Sequence, residues 1–272
     1  MSEWFEWRDA PRADFAVIGD PISHSYSPIF QQAGLDAAGL GRRYVAIRVP
    51  ADEFGNALEH LIELGYAGLN VTVPLKEIAF QWCARVEGEA EILKAVNTIR
   101  LADRVGINTD APGFAQSLFH LKPGPPGKAL VLGAGGAARA VIYALNQLGW
   151  EISVFNRTVS RIDEIARDLN LDLKVQERAS AEGFPLIVNA TTGSKTWSIE
   201  VDFENAESDL LFYDLMAGNS LSYQVAKQAG VRAVEGSGML LEQGILAFEV
   251  WNGIPAPREA MRAALEAAIE NS

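Results

Sequence analysis

The chain has 272 residues, 49% of them hydrophobic and 21% charged, and carries a formal net charge of −12 at pH 7. That length accommodates two ordinary domains, each burying a core, and no apolar run approaches the roughly 18 residues that a membrane span needs. An acidic excess of this size argues against a general nucleic-acid binder, which needs a basic face to displace counterions, but is compatible with anionic small ligands at a locally positive site. The single Cys83 excludes an internal disulfide and a thiolate metal centre, and the three histidines, His24, His60 and His120, are scattered, so no metal site is expected. The opening Met1-Ser2-Glu3-Trp4 lacks the basic start and apolar segment of a secretory signal, which leads to the expectation of a cytoplasmic protein. The tryptophan-rich Trp4-Phe5-Glu6-Trp7 packs against either the body or a partner; the residues themselves do not choose.

In chain order, the first third alternates strand-like and helix-like stretches: "FAVIGD", Ser27 to Leu40, "RRYVAIRV", Ala51 to Gly65 and "AGLNVTV". Alternation of this kind predicts a sheet with connecting helices. Pro74 stands where a helix's first turn begins, and "PLKEIAFQWCARV" carries apolar residues at helical spacing, which puts Lys76 in that turn, close to the end of the preceding strand. "AVNTIRL" and "RVGINTD" flank the short Ala102-Asp103 turn and read as a hairpin, with Asn97 and Asp110 on its two arms. From Lys128 the rhythm changes: "KALVLG" is a buried strand, "AARAVIYALNQLG" a helix and "EISVFN" a second strand, one βαβ unit. "PLIVNAT", "DLLFYDLM" and "VRAVEG" supply enough further parallel strands for a doubly wound domain. The last helices, Gly238 to Asn252 and Arg258 to Glu270, break that rhythm and are assigned back to the first lobe.

Between the apolar strand and the helix lie Gly133-Ala134-Gly135-Gly136-Ala137-Ala138. The first glycine suits a tight turn, the second lets backbone approach a pyrophosphate, and Ala138 is small enough for helix-to-strand packing. Amides at the helix start, helped by its dipole, then face the anion. At the end of the second strand an acid would accept from a free ribose 2′-hydroxyl, but the residues there are Asn156-Arg157-Thr158, with Arg161 one turn on. An arginine fork and a hydroxyl suit a 2′-phosphate, so NADP is favoured over NAD, the alternative being that Arg157 is a solvated surface charge.

In the first lobe, "SHSYSP" from Ser23 to Pro28 offers hydroxyls at a helix start, either as caps or as a cradle for a carboxylate. Asn70, Thr72, Lys76, Asn97 and Asp110 each have a structural account as turn or cap residues. Together they describe a pocket for a polyol bearing a carboxylate.

The ordered set "SHSYSP", "NVTVPLK", "AVNT", "NTDAPG", "LGAGGAAR", "FNRT", "NAT" and "GMLLEQGILAFEVWNG" resembles the shikimate dehydrogenase family over about Phe15 to Gly253. The resemblance implies a two-domain α/β enzyme that reduces 3-dehydroshikimate to shikimate with NADPH. It implies a substrate domain with a mixed sheet (1–113 plus 237–272) and a Rossmann, doubly wound NADP-binding domain (114–236). By the same resemblance Lys76 and Asp110 are the catalytic acid/base pair, and Ser25, Ser27, Thr72, Asn97, Asp110 and Gln243 contact substrate. Gly133, Ala134, Gly135, Gly136 and Ala137 form the phosphate loop, Asn156, Arg157, Thr158 and Arg161 grip the adenosine phosphate, and Leu215 and Gly236 lie near the nicotinamide. The expected partners are a small-molecule substrate, with no nucleic acid or membrane, in a monomer or homodimer. Three departures from the family pattern stand out: Ala217 where a tyrosine is common, Lys94 where a glycine is usual, and Ser194 where a methionine is expected. The first leaves open a quinate or aminoshikimate dehydrogenase, and a non-catalytic NADP-binding paralogue is a further alternative.

Overall fold

The computed structural model describes residues 3–191 and 199–271, so the Ser194 departure lies outside the described residues. The chain divides into two compact units, Met1–Thr109 with Gln243–Ser272, and Asp110–Glu242.

The first unit contains β1 (Trp4–Glu6), β2 (Phe15–Gly19), α1 (Ser27–Ala37), β3 (Tyr44–Arg48), α2 (Phe54–Glu63), β4 (Gly68–Val71), α3 (Lys76–Trp82), β5 (Arg85–Glu87), α4 (Glu89–Leu93), β6 (Thr98–Arg100) and β7 (Val105–Ile107). Its sheet is mixed, in the order β1-β3-β2-β4-β6-β7-β5, with β4 to β6 and β6 to β7 antiparallel. All five residues of β2 are buried, because parallel neighbours flank the strand on both edges and layers cover both faces. α2 buries Phe54, Ala57, Leu58 and Leu61, the spacing of one helical face. The tryptophan-rich start is a strand: β1 pairs parallel with β3, and just after it the Trp7 indole donates to Glu53 at 2.5 Å and meets the His60 ring edge-on. Gly106 of β7 lies against Cys83, whose Sγ is 2.7 Å from where a Cβ would stand, and burial pushes the Cys83 thiol up to about 11. The hairpin expected from the sequence is the β6–β7 pair. Asn97 immediately precedes β6, and Asp110 lies beyond the end of β7 at the start of the next helix.

The second unit contains α5 (Asp110–Leu121), β8 (Lys128–Leu132), α6 (Gly136–Gln147), β9 (Glu151–Phe155), α7 (Val159–Leu169), β10 (Lys174–Val175), β11 (Leu186–Asn189), β12 (Leu211–Asp214), α8 (Leu221–Gln228) and β13 (Arg232–Val234). Its six strands are all parallel in the order β10-β9-β8-β11-β12-β13. Counted from β8 this is 3-2-1-4-5-6, the dinucleotide-binding arrangement in which the order reverses beside the first strand.

α9 (Ser237–Asn252) crosses the division after Glu242, and α10 (Arg258–Glu270) follows in the first unit. Trp251 of α9 stacks on Phe15 at 4.9 Å and donates to the Ile99 carbonyl at 3.0 Å. Gly68 exists to admit it, since a Cβ there would lie 2.3 Å from the indole nitrogen. Among the described residues no helix is long and apolar enough to cross a membrane.

Candidate active site

The first unit carries its candidate polar residues at the start of α1, just after β4, at the start of α3, just before β6 and in α9. Ser27 is the first residue of α1 and is buried; its amide donates to the Ser25 hydroxyl at 3.3 Å. Thr72 follows β4 directly, its amide held by the Ile18 carbonyl at 2.9 Å and its methyl over Gly19. Lys76 opens α3 and is half-buried; its carbonyl accepts from the Val96 amide at 3.0 Å, which laces the helix start to the segment carrying Asn97. Asn97 is buried, and its Oδ1 accepts from the Thr109 amide at 2.8 Å, fixing the backbone one residue ahead of Asp110. Asp110 opens the second unit as the first residue of α5 and is only 6% exposed. Gln243 is half-buried in α9, next to Gly244, whose carbonyl accepts from Gln31 at 2.8 Å.

Tyr44, Thr98 and Asn108 are polar groups of this region that the sequence did not single out, and the first two bond to Asn70, which it did. The Tyr44 phenol donates to Asn70 Oδ1 at 2.8 Å, Asn70 donates to Thr98 Oγ1 at 3.2 Å, and Asn108 donates to the Ala95 carbonyl at 2.9 Å. Burial holds the Tyr44 phenol well above its ordinary pKa, so it stays a donor. The Lys94 departure has a local account: it is the left-handed C-cap of α4 at φ 50° and ψ 35°, a conformation that suits glycine better than any other residue.

In the second unit, Gly133 turns the chain away from β8 at φ 106°, with the Ala190 backbone 3.2 Å from any Cβ. Gly135 is the N-cap of α6, and a Cβ on it or on Gly136 would meet nothing within 4 Å, so the space over these amides is open. Ala134 and Ala137 are half-exposed beside them, and Ala138 is fully buried against the sheet. This cradle fits a pyrophosphate. At the end of β9, Asn156 Nδ2 donates to the Thr158 carbonyl at 2.8 Å, and Arg157, Thr158 and Arg161 are exposed at the entry to α7 with no acid among them. That donor set fits a 2′-phosphate better than a free ribose hydroxyl.

Leu215 and Gly236 come together: the Gly236 amide donates to the Met216 carbonyl at 2.8 Å, and a Cβ on Gly236 would lie 2.0 Å from the Leu215 oxygen. Two carboxylates tie down the turn after β12. Asp214 accepts from the Met216 amide at 3.1 Å and from the Ser220 hydroxyl; Glu235 accepts from the Gly218 amide at 2.8 Å and the Ser237 amide at 3.0 Å. Asp214 is fully buried, and burial raises its carboxyl above the ordinary value. Ala217 is half-buried in this turn. In sequence Asp214 and Glu235 read as ordinary strand-end acids; only their glycine-rich neighbours hinted at turns needing an acceptor.

The 3-2-1-4-5-6 parallel sheet and the open glycine turn define a two-unit α/β protein of the dinucleotide-binding class. A model of the shikimate dehydrogenase substrate binding domain matches residues 17–99, and one of the shikimate 5'-dehydrogenase C-terminal domain matches residues 236–266. The shikimate dehydrogenase (NADP(+)) of Nitrosopumilus maritimus is 36% identical, over 92% of this chain and 97% of its own. The shikimate 5-dehydrogenase of Thermus thermophilus in complex with shikimate is 34% identical with a TM-score of 0.85, over 95% of this chain and 99% of its own. The same enzyme in complex with NADP(H) and shikimate is 35% identical, with a TM-score of 0.84, over 94% and 99%. The chain belongs to the shikimate dehydrogenase family.

Proposed function

We propose that the protein is a cytoplasmic NADP-dependent shikimate dehydrogenase that reversibly reduces 3-dehydroshikimate to shikimate, on the route to aromatic amino acids. The observation that carries this reading is a kinship to NADP-dependent shikimate dehydrogenases that runs through both units, at 36% identity over 92% of the chain. Residues 1–113 plus 237–272 act as the substrate-binding and catalytic domain in this reading, and 114–236 as the NADP-binding domain. The ligand is a small molecule, and the protein works as a monomer or homodimer without nucleic acid.

NADPH, when bound, supplies the hydride. The turn from Gly133 to Ala137 with the α6 amides would hold its pyrophosphate, and Asn156, Arg157, Thr158 and Arg161 its adenosine phosphate. Leu215 and Gly236 would offer backbone to the nicotinamide. Ser25 and Ser27 at the start of α1 would hold the substrate carboxylate, and Thr72, Asn97 and Gln243 its ring hydroxyls or the carboxylate. Lys76 gives a proton to the ketone oxygen as that oxygen gains negative charge, and in the oxidative direction its neutral amine takes the proton back. Asp110 orients the Lys76 amine and accepts from a neighbouring hydroxyl. Neither forms a covalent bond to substrate.

A second reading, a quinate or aminoshikimate dehydrogenase, draws on Ala217, whose methyl leaves room where the family commonly carries a phenol. A panel of shikimate, quinate and aminoshikimate with NADP+ and NAD+, followed by the absorbance of the reduced nicotinamide, tests both. Preferential turnover of shikimate with NADP+ is expected; preference for another polyol selects the second reading, and no turnover at all overturns both in favour of a non-catalytic NADP-binding paralogue.

A further inference from the structure

Asn97, a proposed substrate residue of the first unit, belongs to a chain of buried side chains, Tyr44, Asn70, Thr98, Asn97 and Thr109, none more than 5% exposed. Its hydrogen bonds have one direction. Asn70 Nδ2 faces the Asn97 carbonyl at 3.2 Å, a group that can only accept, so Asn70 Oδ1 must face Tyr44 and the phenol must donate to it at 2.8 Å. On the other side Asn70 also donates to Thr98 Oγ1 at 3.2 Å, and the Thr98 hydroxyl passes its proton to Asn97 Oδ1 at 3.1 Å. That oxygen takes the Thr109 amide as well, which leaves Asn97 Nδ2 to donate to Thr109 Oγ1 at 3.0 Å.

Resting on the reading given under Proposed function, we propose that Tyr44, Asn70 and Thr98 are positioning residues for the substrate: the Asn70 amide, oriented by the Tyr44 phenol, holds the Asn97 carbonyl, and the Thr98 hydroxyl holds the Asn97 side-chain oxygen, so the run of donors keeps Asn97 in place. The links run from β3 through β4 and β6 to the residue ahead of Asp110, so one hydrogen-bond pattern underlies the Asn97 side of the cradle.

The test is steady-state oxidation of shikimate by NADP+ with the full-length protein, Tyr44→Phe, Thr98→Val and the double variant. Each single change deletes one donor without changing shape much. For each, KM for shikimate is expected to rise about fivefold to tenfold, the size of one buried neutral hydrogen bond. KM for NADP+ and kcat should stay within about twofold, since the network underlies only the substrate cradle. The double variant should lose little more than the worse single one, because both cuts open the same chain. A lowered melting temperature with an unchanged KM for shikimate would make the chain merely structural and overturn the proposal, as would independent, multiplying losses in the double variant. If Tyr44→Phe does not fold, Thr98→Val carries the same expectation; if neither folds, the chain is a folding element and the positioning role is overturned. The parent separates this inference from its premise: a parent that never oxidises shikimate overturns the proposed function, whereas an active parent with unaltered variants overturns the positioning alone.

Discussion

Replacing Gly236 by alanine puts the backbone packing of the second unit to a direct test. The added Cβ would stand 2.0 Å from the Leu215 oxygen, 2.4 Å from the Leu215 carbonyl carbon and 2.9 Å from the Met216 carbonyl carbon. All three obstacles are backbone, so no rotamer change relieves the overlap, and Leu215 and Met216 must retreat by more than an ångström to reach ordinary contact. That retreat stretches the Gly236 to Met216 hydrogen bond, now 2.8 Å. Overpacking of this kind costs about 1–3 kcal/mol and a lost backbone hydrogen bond about 1 kcal/mol, together roughly 2–4 kcal/mol. At the sensitivity of a domain of this size the melting temperature should fall by roughly 5–15 °C. If the displaced Leu215 also touches the nicotinamide, kcat/KM drops as well, by about 10²-fold for an ångström of misplacement. Calorimetry or circular dichroism melting, paired with shikimate oxidation, reads both effects. A variant that melts within a degree or so of the parent would refute the reasoning, because no arrangement of the present backbone accommodates the methyl group.

Three further outcomes are expected. Lys76→Ala should lower turnover by about 10²–10⁴ while NADP+ affinity, read by fluorescence quenching, hardly changes; near-parental turnover would remove Lys76 from the chemistry. Arg157→Ala should weaken NADPH by about tenfold and NADH little, since only the former carries a 2′-phosphate, and equal weakening of the two would show that the arginine ignores that group. Asp214 is held above its ordinary carboxyl value of 3.8 by burial, so between that value and its folded one the native state binds more protons than the unfolded state. Its contribution to stability therefore falls as pH rises through that window, by up to about 1.4 kcal/mol per pH unit, and stays lost above it. Asp214→Asn, which keeps an acceptor for the Met216 amide, should flatten the pH dependence of the urea midpoint from about pH 4 upward; an unchanged slope would mean that another group sets it.

The parallel sheet of the second unit was legible because its strands β8, β9, β11 and β12 are apolar runs and helices of clear periodicity follow β8 and β9. β10 was not, because two exposed residues carry no hydrophobic signal and form a strand only by pairing with β9. β1 and β5 escaped for the same reason: three residues at a sheet edge owe their conformation to the neighbour's ladder. In the substrate region Lys76, Asn97 and Asp110 were visible as polar residues at element ends. Tyr44 was not, since inside "RRYVAIRV" it reads as one more core residue, and its partner Asn70 lies 26 residues away on a strand reached only through the register. Side chains that act through other side chains leave no local pattern.

The discontinuity of the first unit bears on its biogenesis. Phe15 and Gly68 present a surface that Trp251 fills, and Gly34 one that Met261 fills, so residues made early wait for a seal made only after the second unit. Asp110–Glu242, by contrast, is one uninterrupted stretch and can consolidate on the ribosome while its predecessor remains unsealed. A nascent chain arrested before Gln243 should resist protease through its middle and be cut in its first hundred residues or so, which makes the final helices the commitment step of synthesis.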